Sequence, residues 1–311
     1  MMRVLFWGTP DFATPPLRAM LGEGFDVVGV VTQPDRPVGR SRSRLQPSPV
    51  KEVAVAEGLP VLQPDHPRGS DFVARLRDLT PDISVVVAYG HILPREVIEL
   101  PPQGTLNIHA SLLPRLRGAA PIQAAIREGY AQTGVTIMRM VQRLDAGPIL
   151  LQLTTDIPED ETCGELALRL SELGATALIE ALALLSLGQA HEQPQDDSAA
   201  TYAPKIDRAA TRVDWTGDAG SAGRVIRAYD PRPGALTTLD DKDVKLFGAR
   251  FSSGSHTAPP GEVVAVQDDG MVVACGQGAL RVLYVQPAGQ RRMTAAEWHR
   301  GRGVSPGRRF R

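Results

Sequence analysis

Two rhythms divide the chain. Up to about Leu187, short apolar runs without polar alternation (Val4–Trp7, FDVVGVVT from Phe25, ISVVVAYG from Ile83, TLNIHA from Thr105) are separated by amphipathic stretches of helical length. Runs of that kind read as strands buried on both faces, and spacing them with helices predicts a mostly parallel sheet. The helices expected are one from Phe12 or Thr14 to Leu21, one from Pro49 to Glu57, one over Asp71–Leu79 and a long apolar one ending near Leu187. Ser48 as N-cap, Pro49 at the first helical position and Glu52 in the first turn mark the second of these. LPVLQP from Leu59 reads as a short strand, and TGVTIMRM and PILLQL as two more. The expected fold class is α/β, a doubly wound, mostly parallel sheet.

The rhythm then changes. GQAHEQPQDDSAATYAP, residues 188–204, is polar and without apolar period, and reads as a linker. Beyond it a helix over Ala219–Tyr229 precedes the strand candidates GALTTL, DVKLFGARF, GEVVAVQ, GMVVACG and ALRVLYVQP. Turn residues separate them at the spacing of a small antiparallel β-barrel. The expected organisation is 1–187, linker 188–204, and 205–311.

Composition narrows the class. The chain has 311 residues, 42% of them hydrophobic, and a net charge of −1, so it is not a generic polyanion binder. Cys163 and Cys275 are its only cysteines, in apolar surroundings, which argues for a reducing compartment rather than a disulfide framework. The apolar helix over Ala175–Leu187 is too short and interrupted to span a bilayer. RVLFWG enters a strand with no signal segment before it, so a cytoplasmic location is expected. His66, His91, His191, His256 and His299 lack paired ligand spacing, so no metal is expected.

The turn after the first strand, GTPDFA, lacks the G-x-G-x-x-G of dinucleotide sites, and no G-x-x-x-x-G-K-[ST] occurs. In an open α/β sheet ligands still bind beyond the carboxyl ends of strands, where TLNIHA ends. Asn107 and His109, two apart on a strand, share one face. An amide donor and an imidazole there can hold a carbonyl oxygen as it becomes an oxyanion. Asp145, in a glycine-flanked turn, is a carboxylate that could orient and charge-balance the imidazole. A satisfied buried histidine and an ordinary turn aspartate account for the same residues. Charge gives a second signal. Between Thr32 and Lys51, four arginines (Arg36, Arg40, Arg42, Arg44) and Lys51 stand against Asp35, net +4, in what reads as an exposed, mobile loop. Gly289–Arg311 carries seven arginines against one glutamate, net +6. Such segments suit a phosphate-rich partner; a solvated loop and a charged tail are the alternative.

Several motifs together make the chain resemble the folate-dependent formyltransferases along essentially its whole length: GTPDFA (8–13), TQPDRPVGR (32–40), LQPSPVK (45–51), VVAYGHILP (86–94), NIHASLLPRLRGAAP (107–121), RLDAGPI (143–149) and LYVQPAGQRRM (283–293). The basic loop and the C-terminal barrel resemble the members that act on methionyl initiator tRNA. The resemblance implies a Rossmann-like domain followed by an OB-like barrel. It implies transfer of formyl from 10-formyltetrahydrofolate to the α-amine of methionyl initiator tRNA in bacterial translation initiation, without metal or membrane, by a protein expected to be a monomer. Asn107, His109 and Asp145 match the family's catalytic trio; whether His109 carries a proton or only stabilises the oxyanion stays open. Ala88, Tyr89, Gly90, His91, Ile92 and Leu93 match the pterin pocket, with Asp145 also near the folate. Ser111, Leu112, Leu113 and Pro114 match the rigid wall beside it. Arg36, Arg40, Arg42, Arg44 and Lys51, with Arg291 and Arg292, match tRNA-binding positions. The chain departs from the family in Asp230-Pro231-Arg232-Pro233-Gly234, where Asn-Pro-Trp-Pro-Gly is usual, and in a Ser-Arg-Ser-Arg run after Arg40 where lysines are common.

An amino-sugar-nucleotide formyltransferase would share the trio but have no use for the +4 loop. A glycinamide ribonucleotide formyltransferase would lack the second domain. A non-catalytic RNA-binding protein would have no need of the trio.

Overall fold

A computed structural model describes residues 2–38, 44–252 and 257–311. The chain forms two compact units. The first comprises Met1–Gly118, Thr133–Thr155 and Ala167–Tyr202, the second Ala119–Gln132, Asp156–Leu166 and Ala203–Arg311. Residues 188–202, which read as linker, thus belong to the first unit. Hydrogen bonds rather than an apolar period hold them there, beginning with the reciprocal backbone pair Ile149–Gln193 at 2.8 Å.

In chain order the first part runs β1 (Arg3–Gly8), α1 (Thr14–Gly22), β2 (Asp26–Val31), β3 (Arg36–Val38), β4 (Arg44–Gln46), α2 (Pro49–Ala56), β5 (Val61–Leu62), α3 (Ser70–Asp78), β6 (Ile83–Val87), α4 (Arg95–Ile98), β7 (Thr105–His109), α5 (Pro121–Arg127), β8 (Gln132–Arg139), β9 (Ile149–Asp156) and α6 (Cys163–Ser186). Seven strands form one sheet in the order β5-β2-β1-β6-β7-β8-β9. From β5 to β7 neighbours run parallel, and β7 pairs antiparallel with β8. The strand order turns back between β1 and β6, and crevices at such switch points are where α/β sheets bind ligands.

Local chemistry explains the elements. Every residue of β6 is buried, as an unalternating ISVVV run requires. Leu5, Trp7, Val31, Leu62 and Val86 pack against Phe72, Val73 and Leu76 of α3 and Val97 and Ile98 of α4. Fully burying each large apolar side chain is worth about 1.5–3 kcal/mol. Ser48 caps α2 by accepting from the Lys51 backbone N–H at 3.1 Å. Pro121 opens α5 at its first position, where its missing N–H costs nothing.

The segment read as a mobile loop contains a short antiparallel pair, β3 against β4. Its base is tied down: Lys51 Nζ donates to both carboxylate oxygens of Asp35, at 2.7 and 2.9 Å, and Gln63 Nε2 donates to Asp35 Oδ1 at 2.8 Å. The Lys51 hydrogen bond, more than any other cause, holds the Asp35 carboxyl below its usual pKa.

The second unit holds α7 (Ala219–Ala228), β10 (Ala235–Leu239), β11 (Lys242–Ser252), β12 (Val263–Gln267), β13 (Gly270–Ala274), β14 (Ala279–Pro287), β15 (Met293–Thr294) and α8 (Ala295–Arg300). The strands run β10-β11-β14-β13-β12, with β15 also on β14. Residues 307–311 close this sheet. They make backbone hydrogen bonds with Gly261, with Val263 at the start of β12 and with Thr238 of β10, at 2.8–2.9 Å. Phe310 lies between Trp215 and Trp298, with ring centroids 5.8 and 6.4 Å away. α8 starts with a capping box in which Thr294 and Glu297 satisfy each other's backbone N–H.

Candidate active site

Strand β7 carries Asn107 and His109 to its carboxyl end. They sit opposite Met138 and Thr136 of β8. His109 is buried, and its Nε2 lies 2.9 Å from the Leu116 carbonyl oxygen. A carbonyl only accepts, so Nε2 carries a proton and Nδ1 is the nitrogen left for chemistry. The Asn107 side chain is half-buried and makes no hydrogen bond among the described residues.

Asp145 stands in the turn between β8 and β9. Its Oδ2 lies 3.7 Å from His109 Nδ1, ion-pair rather than hydrogen-bond distance, and accepts from the Gly118 N–H at 2.8 Å. The turn is demanding. Asp145 has φ +47°, left-handed for a residue with a side chain. A Cβ on Gly147 would collide with the Arg139 carbonyl oxygen. The result is a carboxylate beside the imidazole of His109, on the strand face that Asn107 shares.

Ser111 to Pro114 follow β7 and are held by side chains of β8 and β9. The Thr136 hydroxyl donates to the Ser111 carbonyl at 2.6 Å and accepts from the Leu113 N–H at 3.1 Å. Gln152 Nε2 donates to the Leu113 carbonyl and to Thr136 Oγ1, both at 2.9 Å. The Leu113–Pro114 peptide is cis.

At the end of β6, Ala88 (φ +48°) and Gly90 (φ +93°) turn the chain sharply. The Tyr89 carbonyl accepts from Thr9 Oγ1 at 2.9 Å and Gln33 Nε2 at 3.0 Å, while a Cβ on Gly90 would strike the Gln33 amide. The Tyr89 ring meets Trp7 edge-on at 5.3 Å, its hydroxyl is buried without a partner among the described residues, and burial raises its pKa to about 12. His91 and Ile92 are exposed, and Leu93 joins the core with Tyr89. Among the described residues, the backbone N–H groups of Gly90 to Leu93 donate to nothing. Such a backbone suits a flat heterocycle whose edge mixes donors and acceptors.

The basic residues separate into groups. Arg36 is exposed and donates to Gln33 Oε1 at 2.6 Å, and Arg44 is exposed. Arg40 and Arg42 lie outside the described residues. Lys51 is taken up by Asp35. Arg291 donates to Glu297 at 3.1 Å, whereas Arg292 donates to Asp230 at 3.1 Å and lies over the rings of Phe247 and Tyr284. Among the described residues no group of three or more histidines, cysteines or acids is placed to hold a metal ion, and no helix is long and apolar enough to cross a membrane.

Sequence reasoning missed the residues behind the trio. Arg117, 1% exposed, donates to Gln195 Oε1 and Asp197 Oδ1, and Gln195 Nε2 donates to the carbonyls of Asp145 and Gly147. Gln195 and Asp197 lie in a polar stretch with no signal to single them out.

The comparisons with known proteins agree with this architecture. The family described as "Formyl transferase" matches residues 2–182, and "Formyl transferase, C-terminal domain" matches 205–303. The chain belongs to the formyl transferase family. It is 49% identical over 308 residues to the methionyl-tRNA formyltransferase of Magnetococcus marinus, covering 99% of this chain and 98% of that one. It is also 49% identical over 297 residues to the methionyl-tRNA formyltransferase of Methylococcus capsulatus, covering 96% of each. Among solved structures, HypX from Aquifex aeolicus in complex with tetrahydrofolic acid superposes with a TM-score of 0.69 at 22% identity, a likeness of fold. That match covers 95% of this chain and 46% of HypX, so the chain spans about half of that longer protein.

Proposed function

We infer that the chain transfers the formyl group of 10-formyltetrahydrofolate to the α-amino group of methionyl initiator tRNA. The observation that carries this reading is Asp145 Oδ2 standing 3.7 Å from His109 Nδ1 at the carboxyl end of β7, on the strand that also carries Asn107. Near-complete coverage of the methionyl-tRNA formyltransferase relatives supports the choice of acceptor.

10-Formyltetrahydrofolate supplies a formyl carbon bonded to a nitrogen able to leave. The Gly90–Leu93 backbone and the wall from Ser111 to Pro114 bind and orient that cosubstrate. The Asn107 amide donates to the formyl oxygen as it gains charge under attack by the amine. The amine gives up one proton and the departing nitrogen gains one. His109, anchored through Nε2, can hold that proton at Nδ1, where the Asp145 carboxylate stabilises the imidazolium.

Arg36, Arg40, Arg42 and Arg44 provide positive charge for the acceptor arm, with Lys51 bracing the base of their loop through Asp35. Arg291 and the other exposed arginines of the C-terminal part contribute to the same field, and Arg292 supports it structurally. In this division of labour residues 1–187 carry out the transfer, braced by 188–202, and 205–311 hold tRNA. The working species is a monomer in the cytoplasm.

The deciding experiment offers purified protein and labelled 10-formyltetrahydrofolate three acceptors: methionyl initiator tRNA, methionyl elongator tRNA and an amino-sugar nucleotide. Formylation of the initiator tRNA alone is expected. Formylation of the sugar instead would overturn the acceptor and leave the arginine loop without its role.

A further inference from the structure

We propose that Gln195 is a positioning residue that sets Asp145 against His109, and that the stretch from Gln193 to Tyr202 is a brace for the reacting end of β7; this rests on the functional reading above. The geometry is closed. Gln195 Nε2 donates to the carbonyl oxygens of Asp145 at 2.9 Å and Gly147 at 2.7 Å. Its Oε1 accepts from Arg117 Nε at 3.0 Å and from the terminal guanidinium nitrogen at 2.7 Å. The amide can face only one way, because guanidinium offers donors alone and carbonyls offer acceptors alone. All four of its hydrogen-bonding positions are used.

The Arg117 end is tied to the same site. Arg117 is fully buried between Leu116, whose carbonyl holds His109, and Gly118, whose N–H holds the Asp145 carboxylate. Asp197 accepts from Arg117 at 2.9 Å and from Arg143, two residues before Asp145, at 2.6 Å. Those bonds hold the Asp197 carboxyl below its usual pKa. Farther along, the Thr201 hydroxyl accepts from the Leu116 N–H at 2.9 Å, and its carbonyl accepts from the Arg117 N–H at 2.9 Å. One segment therefore grips both flanks of the trio. The left-handed backbone at Asp145 is a conformation the chain would leave if unrestrained. One amide holding two carbonyls of that turn restrains it.

A purely structural reading would make Gln195 a mere acceptor for the buried Arg117. Gln195→Glu separates the two. Glutamate still accepts from Arg117, with a full charge, but turns an oxygen toward the Asp145 and Gly147 carbonyls and can donate to neither. The experiment measures single-turnover formyl transfer to methionyl initiator tRNA by wild type, Asp145→Asn, Gln195→Glu and the double variant. Amide exchange over residues 140–149 is followed in each. Gln195→Glu is expected to unfold near the wild-type temperature and to bind both substrates within about threefold of wild type, yet transfer about 10- to 50-fold more slowly, the scale of a small misplacement. In the Asp145→Asn background it should cost less than about twofold more, because both act through one group. Exchange over 140–149 should rise at least about tenfold as the turn opens locally. Losses that multiply, a wild-type rate, or unchanged exchange would overturn the proposal. If the wild-type chain formylates no methionyl-tRNA, the functional reading falls instead, and exchange alone decides whether Gln195 holds the turn. Should the glutamate variant not fold, Gln195→Asn, one methylene short of both partners, gives the same readouts.

Discussion

The Asp230 carboxylate accepts from the Arg292 guanidinium at 3.1 Å, and the same guanidinium lies 4.2 Å above the ring of Phe247 and 4.8 Å from that of Tyr284. Asp230 is buried, and its other oxygen accepts from the Gly248 N–H at 2.8 Å. The charge of Asp230, where an uncharged asparagine is usual in the family, is thus met within the same unit. Arg292→Ala leaves that carboxylate with one partner and strips a cation from two rings. A loss of about 2 kcal/mol is expected. Urea unfolding measures it, and restoring stability by adding Asp230→Asn would confirm the pairing.

Asn107→Ala and His109→Ala are each expected to slow formyl transfer roughly 100-fold or more, the usual scale for losing an oxyanion donor. Neither should shift the unfolding midpoint enough to explain such a loss. Near-normal turnover in either variant would remove the trio from the chemistry.

Arg40→Ala should weaken methionyl-tRNA use far more than folate binding, since its segment faces the nucleic acid in the proposed function. Titration of each substrate separates the effects. Equal loss of folate affinity would reassign the segment. Wild-type tRNA binding should fall as salt rises, with a slope set by the phosphates contacted.

Asp35 provides a pH test. Its carboxyl is held below the usual carboxylate range chiefly by the hydrogen bond from Lys51. A depressed pKa stabilises the folded form above the unfolded value of about 3.9, and that contribution is lost as pH falls through the folded value. The base of the β3–β4 pair should therefore stay protected down to about pH 4 and loosen only below it. Lys51→Met should remove the acid step. Amide exchange over residues 33–48 between pH 6 and pH 3 would reveal it.

Phe310→Ala should cost about 3–5 kcal/mol, the range for a buried phenylalanine. Phe310 is 2% exposed between two tryptophans, on the segment that closes the sheet of the second unit. A shift of the urea midpoint without a change in slope is the expected signature.

What was legible in the sequence follows from where the physics is local. β1 and β6 are legible because a strand buried on both faces needs an unbroken apolar run. The shared face of Asn107 and His109 follows from the two-residue period. The β3–β4 pair is not legible: it buries little, its residues carry no alternation, and antiparallel backbone pairing holds it. α5 and α8 are short and depend on a proline at the first position and a capping box rather than on amphipathic period. Nothing in the spacing of β7 and the RLDAGPI turn fixes the 3.7 Å between His109 and Asp145, which is a tertiary distance. Gln195 is illegible for the same reason. Its partners lie 48 and 50 residues away, and a glutamine in a polar stretch looks like any other.

The left-handed backbone at Asp145 filters the residue alphabet before any chemistry is consulted. Glycine, asparagine and aspartate enter that region at least cost, and of the three only aspartate bears a negative charge. Geometry and, in the proposed function, the reaction therefore select the same residue independently. Drift at this position has almost nowhere neutral to go: a residue that suits the turn loses the carboxylate, and glutamate, which keeps it, strains the turn. Asparagine is accordingly the substitution that subtracts the charge and little else, whereas alanine would add a backbone penalty to the measured loss.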